Sequence, residues 1–111
     1  MGDDKATFGE LRVMVRDFVK ERDWEVYHRP KNLTGSIAIE AAEMMELFQW
    51  QDPDARSVIG DKEAMARVED ECADVLIYLM ALANVLELDL SDAVKRKVEK
   101  NRKRFPVGTR F

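Results

Sequence analysis

Apolar residues recur along this chain at intervals of three and four, which is the spacing of one face of an α-helix. In the first such segment these residues are Phe8, Leu11, Val15, Phe18 and Val19. Four segments with this spacing predict helices over about 7–24, 36–50, 62–86 and 89–104. Nowhere does the chain show the strict alternation of apolar and polar residues that indicates a half-buried strand.

Proline and glycine separate the predicted helices. Pro30 disfavours helix at Arg29, and Gly35 favours a turn before the second helix. Pro53 follows the second helix and Pro106 follows the fourth. The connections are therefore short, and the sequence predicts an all-α fold in the form of a four-helix bundle.

The length of 111 residues fits a single domain spanning 1–111. Either Asp89 or Ser91 is a suitable N-cap for the fourth helix.

Apolar residues occupy several helix faces, and their combined surface is larger than a chain of this size buries by itself. We therefore expect the chain to form a homo-oligomer.

The second predicted helix places carboxylates inside its apolar face. At about 100° per residue, Glu40 lies between Leu47 and Met44 around the helix axis. Glu43 lies roughly 60° from Glu40, at the edge of the same face. Glu46 lies about another 60° round and is expected at the rim or in solvent.

The third predicted helix repeats this arrangement. Glu71 lies between Tyr78 and Leu82 around the axis, and Asp74 lies roughly 60° from Glu71. Each of the two helices therefore presents a pair of acids at positions i and i+3 on a surface that faces the core.

Carboxylates buried together need a compensating charge, because otherwise they are costly or become protonated. One pair of acids at this spacing is common on a solvated helix surface, where lysines pair with it. Two pairs inside apolar faces indicate a metal site instead, and carboxylate oxygens suit Mg²⁺, with Mn²⁺ as a substitute. The predicted ligands are Glu40, Glu43, Glu71 and Asp74.

The fourth predicted helix carries Lys97, Asn101 and Arg104 in one line that continues its apolar stripe. A basic run at a helix C-terminus is commonly a solvated end that complements the helix dipole. Beside a site of four carboxylates, however, these three side chains are interpreted as phosphate-binding, because lysine and arginine bind phosphate oxygens and asparagine can donate to one.

Composition and charge narrow the class of protein. Charged residues make up 36% of the chain and hydrophobic residues 46%, a balance typical of globular proteins. The net charge of −4 argues against a nucleic-acid-binding protein with a broad basic surface. The lone Cys72 favours a reducing compartment, and no apolar run reaches the roughly 18 residues of a membrane span. We predict a cytoplasmic protein without nucleic-acid or membrane partners.

These residues resemble the motif of the MazG-like, all-α nucleoside triphosphate pyrophosphohydrolases, especially the dCTP pyrophosphatase branch. The family signature E-x-x-E…E-x-x-D stands here as Glu-Ala-Ala-Glu at 40–43 and Glu-Cys-Ala-Asp at 71–74. The resemblance extends over about residues 10–106, through ERDWEVYHRPKNL, ELFQW, DVLIYL and NRKRFP.

The resemblance implies a hydrolase that cleaves nucleoside triphosphates between the α- and β-phosphates, giving a nucleoside monophosphate and pyrophosphate. It implies that the four acids hold Mg²⁺ and that one of Glu40, Glu43 and Glu71 orients the attacking water. Lys97 and Asn101 match family positions that contact the phosphates, and Arg104 extends the same line of side chains. The family builds its sites by packing subunits together, so the resemblance also implies a homodimer or a homotetramer. The expected substrates are dCTP-like, and the expected role is removal of surplus or non-standard nucleotides.

The resemblance also suggests a pocket for the base and sugar. The residues at matching positions are Trp24, His28, Asn32, Trp50 and Tyr78. Aromatic faces stack on nucleobases, and the polar tips add hydrogen bonds. Plain packing in the core or at a subunit interface is the alternative for the two tryptophans.

Three other functions would make different demands on the sequence. The same chemistry on another base, such as dUTP, dATP or a modified nucleotide, uses the same acids. A non-catalytic helical interaction module would be expected to lack one of the acids or the pair Lys97 and Asn101, and none is missing. A di-metal oxidase needs Glu-x-x-His motifs, whereas His28 is the only histidine.

Overall fold

The computed structural model describes residues 1–110 and contains no strand among them, so the predicted all-α fold class is confirmed. Four long helices and one short helix follow one another along the chain. They are α1 (Phe8–Glu21), α2 (Pro30–Glu46), α3 (Ala55–Ile59), α4 (Lys62–Leu86) and α5 (Leu90–Arg104). Short 3₁₀ turns occupy Gly2–Asp4 and Glu25–Tyr27.

Local side-chain contacts begin most of these helices. Thr7 accepts a hydrogen bond from the backbone N–H of Glu10 at the start of α1. Asp54, Asp61 and Asp89 accept similar bonds at the starts of α3, α4 and α5. Of the two candidate caps for the last helix, Asp89 is therefore the one that is used.

Helix α2 begins six residues earlier than predicted. Its first residue is Pro30, and Arg29 is the extended N-cap, so the proline does exclude Arg29 from the helix. A proline at the first helical position costs nothing, because its missing N–H would have no partner there. The prediction of a turn at Gly35 was wrong, since Gly35 lies inside α2.

The ends of two helices also differ from the prediction. Helix α1 ends at Glu21 rather than near Trp24, and α2 ends at Glu46 rather than at Trp50. The short helix α3 was not predicted, because its five residues are too few to show a helical period.

Helix α4 is the centre of the fold. It packs most extensively on α2 and also packs on α1 and α3. The most buried apolar side chains come from three of these helices, namely Val19, Leu33, Met80, Ala81 and Ala83. By contrast, α5 makes no extensive contact with another helix within residues 1–110.

A polar clamp joins α1 to the C-terminal part of α4. Arg12 Nε donates to Asn84 Oδ1 at 3.0 Å, and Asn84 Nδ2 donates to the Arg12 carbonyl at 3.0 Å. Arg12 also donates to the carbonyl of Leu88, just beyond α4. These bonds fix α1 along α4.

No helix among the described residues is both long and apolar enough to span a membrane.

The end of α4 offers a test of backbone strain. Glu87 adopts the left-handed conformation with φ 55° and ψ 42°, and the N–H of Leu88 donates back to the Ala83 carbonyl at 2.9 Å. A residue with a Cβ is disfavoured there by about 1 kcal/mol relative to glycine. We expect Glu87→Gly to raise the free energy of unfolding by about 0.5–1 kcal/mol in urea titrations.

The control for this prediction is Glu87→Ala, which removes the same charged side chain but keeps the Cβ. It should leave the free energy of unfolding nearly unchanged. Equal stability changes in the two variants would show that the side chain, and not the backbone conformation, sets the effect.

Candidate active site

Helices α2 and α4 bring three acids together. The carboxylates of Glu40, Glu43 and Glu71 each offer an oxygen, and these oxygens all lie within 4.8 Å of one another. Glu40 and Glu71 are half-buried, whereas Glu43 is exposed. Between the same two helices, Cys72 Sγ lies 3.5 Å from Met44 Sδ, so α2 and α4 are in close contact beside the acids.

Crowding of the carboxylates raises two pKa values. A side-chain hydrogen bond with Glu43, followed by burial and the charges of Glu43, Asp74 and Glu71, raises the pKa of Glu40 to about 7. Burial, followed by the charges of Glu43 and Asp74, raises the pKa of Glu71 above its usual range. Burial and like charges therefore disfavour full ionisation of the cluster without a compensating positive charge.

The cluster fits a divalent cation. Glu40 Oε2 and Glu71 Oε2 are buried and have no hydrogen-bond partner within residues 1–110. Buried polar atoms are normally paired, and a hard cation coordinated by carboxylates supplies the missing partner. Asp74 is half-buried on α4, where its charge acts on Glu40 and Glu71, but its carboxylate is not among the three. Glu46 is exposed and outside the cluster, as predicted.

Four of the five residues predicted for base and sugar binding line one cavity of about 250 Å³. The cavity residues are Trp24, Tyr27, His28, Asn32, Leu33, Ser36 and Tyr78. The cavity joins the loop after α1 to the first turns of α2 and the middle of α4. Ser36 precedes Glu40 by one helical turn and Tyr78 follows Asp74 by one turn, so the cavity adjoins the acid cluster.

Trp50 is the exception among the predicted pocket residues. Its side chain is 87% exposed, and it does not line the cavity. Because α2 ends at Glu46 and the chain turns at 47–49, Trp50 lies in the loop beyond the helix.

Two polar groups of the cavity have defined states. Asn32 Nδ2 donates to the carbonyl of Tyr27 at 3.0 Å, which leaves Asn32 Oδ1 available as an acceptor. Burial lowers the pKa of His28, although the charge of Glu25 opposes this shift. His28 is therefore neutral at neutral pH and has one nitrogen to donate and one to accept.

The predicted phosphate-binding residues lie on α5. Lys97 and Arg104 are exposed and Asn101 is half-buried. The guanidinium of Arg104 lies 5.0 Å from the centre of the Phe105 ring. Since α5 does not pack extensively on α2 or α4 among the described residues, the chain by itself does not hold these side chains firmly against the acids.

The sequence pattern missed Tyr27, Leu33 and Ser36 as cavity residues. Ser36 lies one helical turn after Asn32, and this relation was hidden because the helix was predicted to start at Ser36. Pro30, at the first position of α2, was the sequence signal for the earlier start of the helix. Tyr27 contributes its backbone carbonyl to Asn32, and no sequence signal identifies such a contact.

The raised pKa values predict a pH dependence of stability in the metal-free protein. Below about pH 4.5, Glu40 is protonated in both the folded and the unfolded state, so the neighbouring carboxylates do not destabilise the folded state through it. As the pH rises to about 7, the unfolded state ionises more readily, and the folded state loses stability relative to it. In the presence of a chelator, the wild type should therefore lose more stability between pH 5 and pH 7.5 than Glu40→Gln does.

The comparison of the two proteins isolates this carboxyl from the other titrating groups. Melting curves at both pH values measure it, and added Mg²⁺ should raise the melting temperature of the wild type most at the higher pH. Parallel pH profiles for wild type and Glu40→Gln would contradict the assigned origin of the shift.

Comparison with known proteins assigns the chain to a family. The model of the MazG-like family matches residues 36–111, which include both pairs of acids. The chain belongs to the MazG-like family. The fold agrees with this assignment. The structure of a pyrophosphatase from Archaeoglobus fulgidus superposes on this chain with a TM-score of 0.79 and 45% sequence identity, and the match covers 88% of this chain and 91% of that one.

Curated relatives of this MazG-like chain are dCTP pyrophosphatase 1 of Mus musculus and of Homo sapiens. Each is 40% identical over 104 residues, which is 93% of this chain and 61% of the relative. The chain therefore spans about three fifths of the length of the curated relatives it matches. Together with the archaeal structure, the family match confirms the predicted resemblance and fold class.

Proposed function

We propose that this protein hydrolyses nucleoside triphosphates between the α- and β-phosphates in a Mg²⁺-dependent reaction. The observation that carries the proposal is the cluster of Glu40, Glu43 and Glu71, with two buried oxygens that lack a partner, next to an aromatic cavity. The relatives named for pyrophosphatase activity support the same reaction type. The proposed products are a nucleoside monophosphate and pyrophosphate.

Glu40, Glu43, Glu71 and Asp74 are the proposed ligands. The cation, Mg²⁺ or Mn²⁺ as a substitute, would neutralise phosphate oxygens and increase the electrophilicity of the α-phosphorus. A carboxylate of the cluster orients a water molecule and takes its proton as the water oxygen bonds to the α-phosphorus. The bond from that phosphorus to the bridging oxygen breaks, and pyrophosphate leaves.

The cavity is the proposed base and sugar site. Trp24 and Tyr78 offer aromatic faces for stacking, and Asn32 and His28 offer hydrogen-bonding groups. We propose dCTP-like substrates, since the mammalian relatives are named for dCTP. The alternative is the same reaction on dUTP, dATP or a modified nucleotide, because the acids do not depend on the base.

We propose that the working protein is a homodimer or a homotetramer. One chain exposes 9420 Å² of surface, whereas a compact monomer of this length exposes about 6,300 Å². Its radius of gyration is 16.6 Å, against about 13 Å for a compact chain of this size. Covering this surface would also hold α5, so that Lys97, Asn101 and Arg104 reach the phosphates.

Three other proposals concern the domain boundaries, binding of nucleic acid and the cellular location of the protein. We propose that 1–111 form one MazG-like domain, that nucleic acid is not a partner because the net charge is −4, and that the protein works in the cytoplasm, where a lone cysteine stays reduced.

The test is product analysis with each common deoxynucleoside and ribonucleoside triphosphate, with Mg²⁺ and with a chelator. We expect pyrophosphate and a monophosphate in equal amounts, only with the metal, and fastest for a cytosine nucleotide. Release of orthophosphate instead would place cleavage elsewhere and overturn the reaction. A helical interaction module without catalysis would show no metal-dependent product from any nucleotide.

A further inference from the structure

The segment after α1 turns back, so that Trp24 lies beside the C-terminal end of α1. The N–H of Asp23 donates to the Lys20 carbonyl at 3.1 Å, and the N–H of Trp24 donates to the Val19 carbonyl at 3.1 Å. Asp23 adopts a positive φ of 54°. These features form a Schellman motif, which fixes the position of the Trp24 backbone.

Trp24 packs against Phe18 and Arg22, and these three residues are called the Trp24 cluster. The rings of Phe18 and Trp24 meet edge to face, with centroids 5.7 Å apart and planes at 77°. The guanidinium carbon of Arg22 lies 3.8 Å from the centre of the Phe18 ring and 6.0 Å from that of Trp24. Both distances are within the range of cation–π attraction.

Arg22 is held in place at its charged end. Its NH1 group donates to the Phe18 carbonyl at 3.1 Å and lies 3.4 Å from a Glu21 carboxylate oxygen. A planar guanidinium fixed in this way presents a face to aromatic rings, which a lysine ammonium does not. The cluster therefore limits the orientations of the Trp24 indole, although that side chain is 43% exposed.

Trp24 belongs to the cluster and also to the lining of the base cavity with His28 and Tyr78. A ring that is already oriented loses little conformational entropy when a base stacks on it, so the fixed ring binds more tightly. We propose that Arg22 is a positioning residue that holds Trp24 ready to stack on the nucleobase. This inference rests on the proposed function of the cavity.

The test compares Arg22→Met, which keeps an unbranched side chain but removes the cation, with Arg22→Lys, which keeps only the charge. Arg16→Met is the matched control, because Arg16 also lies 3.4 Å from a neighbouring acid, Asp17, but has no ring contact among the described residues. Steady-state kinetics use the triphosphate that the wild type hydrolyses fastest. A Trp50→Phe background leaves Trp24 as the only tryptophan for near-ultraviolet circular dichroism.

In Arg22→Met we expect the KM to rise about five-fold, with kcat within two-fold, because the acid cluster is untouched. Arg22→Lys should fall between this variant and the wild type, and Arg16→Met should match the wild type. The Trp24 signal of the nucleotide-free protein should decrease in Arg22→Met and not in Arg16→Met.

A Trp24 signal or a KM that responds equally to both methionine substitutions would overturn the proposal. So would a loss of kcat with unchanged KM, which would indicate a general structural effect. The near-ultraviolet signal is read without nucleotide, so it decides whether Arg22 orients Trp24 even when no triphosphate is hydrolysed. Absence of turnover in the wild type would instead reject the proposed function.

Discussion

Replacing Glu71 with glutamine is expected to lower Mg²⁺-dependent triphosphate hydrolysis by roughly a hundred- to a thousand-fold, or about 3–4 kcal/mol of transition-state stabilisation. The reason is that Glu71 contributes one of the two buried oxygens without a partner, and an amide is a much weaker ligand for the cation. The measurement is the initial rate of pyrophosphate release at saturating Mg²⁺.

The same substitution should stabilise the metal-free protein at neutral pH. It removes a charge from beside Glu40 and Glu43, where burial and like charges already raise the pKa of Glu71. The rise in melting temperature that Mg²⁺ produces in the wild type should be lost at the same time. An inactive variant with a higher apo melting temperature separates a ligand role from misfolding.

Glu46→Gln is the control for Glu71→Gln. Glu46 is an acid on the neighbouring helix α2, but it is exposed and outside the cluster, so its rate should stay within two-fold of the wild type. Hydrolysis by Glu71→Gln that remained within ten-fold of the wild type would reject the metal site in its present form.

The second large effect is expected from Val94→Asp on α5. Val94 and Val98 lie one helical turn apart and are 58% and 43% exposed, on a helix that no other helix among the described residues contacts extensively. A second copy of the chain is the proposed cover. A carboxylate buried at this interface without a partner should dissociate the assembly and lower the melting temperature by roughly 10 °C.

Sedimentation velocity at micromolar protein measures the dissociation. The helix itself should tolerate the change, because aspartate and valine have similar helix propensities. Arg96→Asp introduces the same side chain on the opposite side of α5 and should leave the assembly intact. An unchanged sedimentation coefficient in Val94→Asp would exclude this face of α5 from the interface.

Much of the candidate site was readable from the sequence because it lies on regular helices. The angle between Glu40 and the apolar residues of α2 depends only on the helical period, as does the matching position of Glu71 in α4. That α2 and α4 pack together was expected from a bundle, and their contact brings the acids within 4.8 Å. Three of the four predicted ligands therefore lie together.

The sequence misplaced the start of α2 and left other features open where the helical period gives no information. The start of α2 depends on a proline at its first position, which can end one segment or begin the next. The place of Trp50 depends on the path of a loop, and loop paths depend on tertiary contacts rather than on a repeating pattern. The relation of Lys97 to the acids depends on surfaces that a single chain leaves open.

Because α2 starts at Pro30, a single helix fixes the spacing between the cavity and the acid cluster. Asn32 in the cavity and Glu43 in the acid cluster stand on one uninterrupted helix, eleven residues and therefore about 16 Å apart along its axis. The distance and angle between the two groups cannot be adjusted separately, as they could across a loop. An insertion of one residue between them would rotate one group by about 100° relative to the other. The spacing along this stretch is thus as constrained as the identity of the acids.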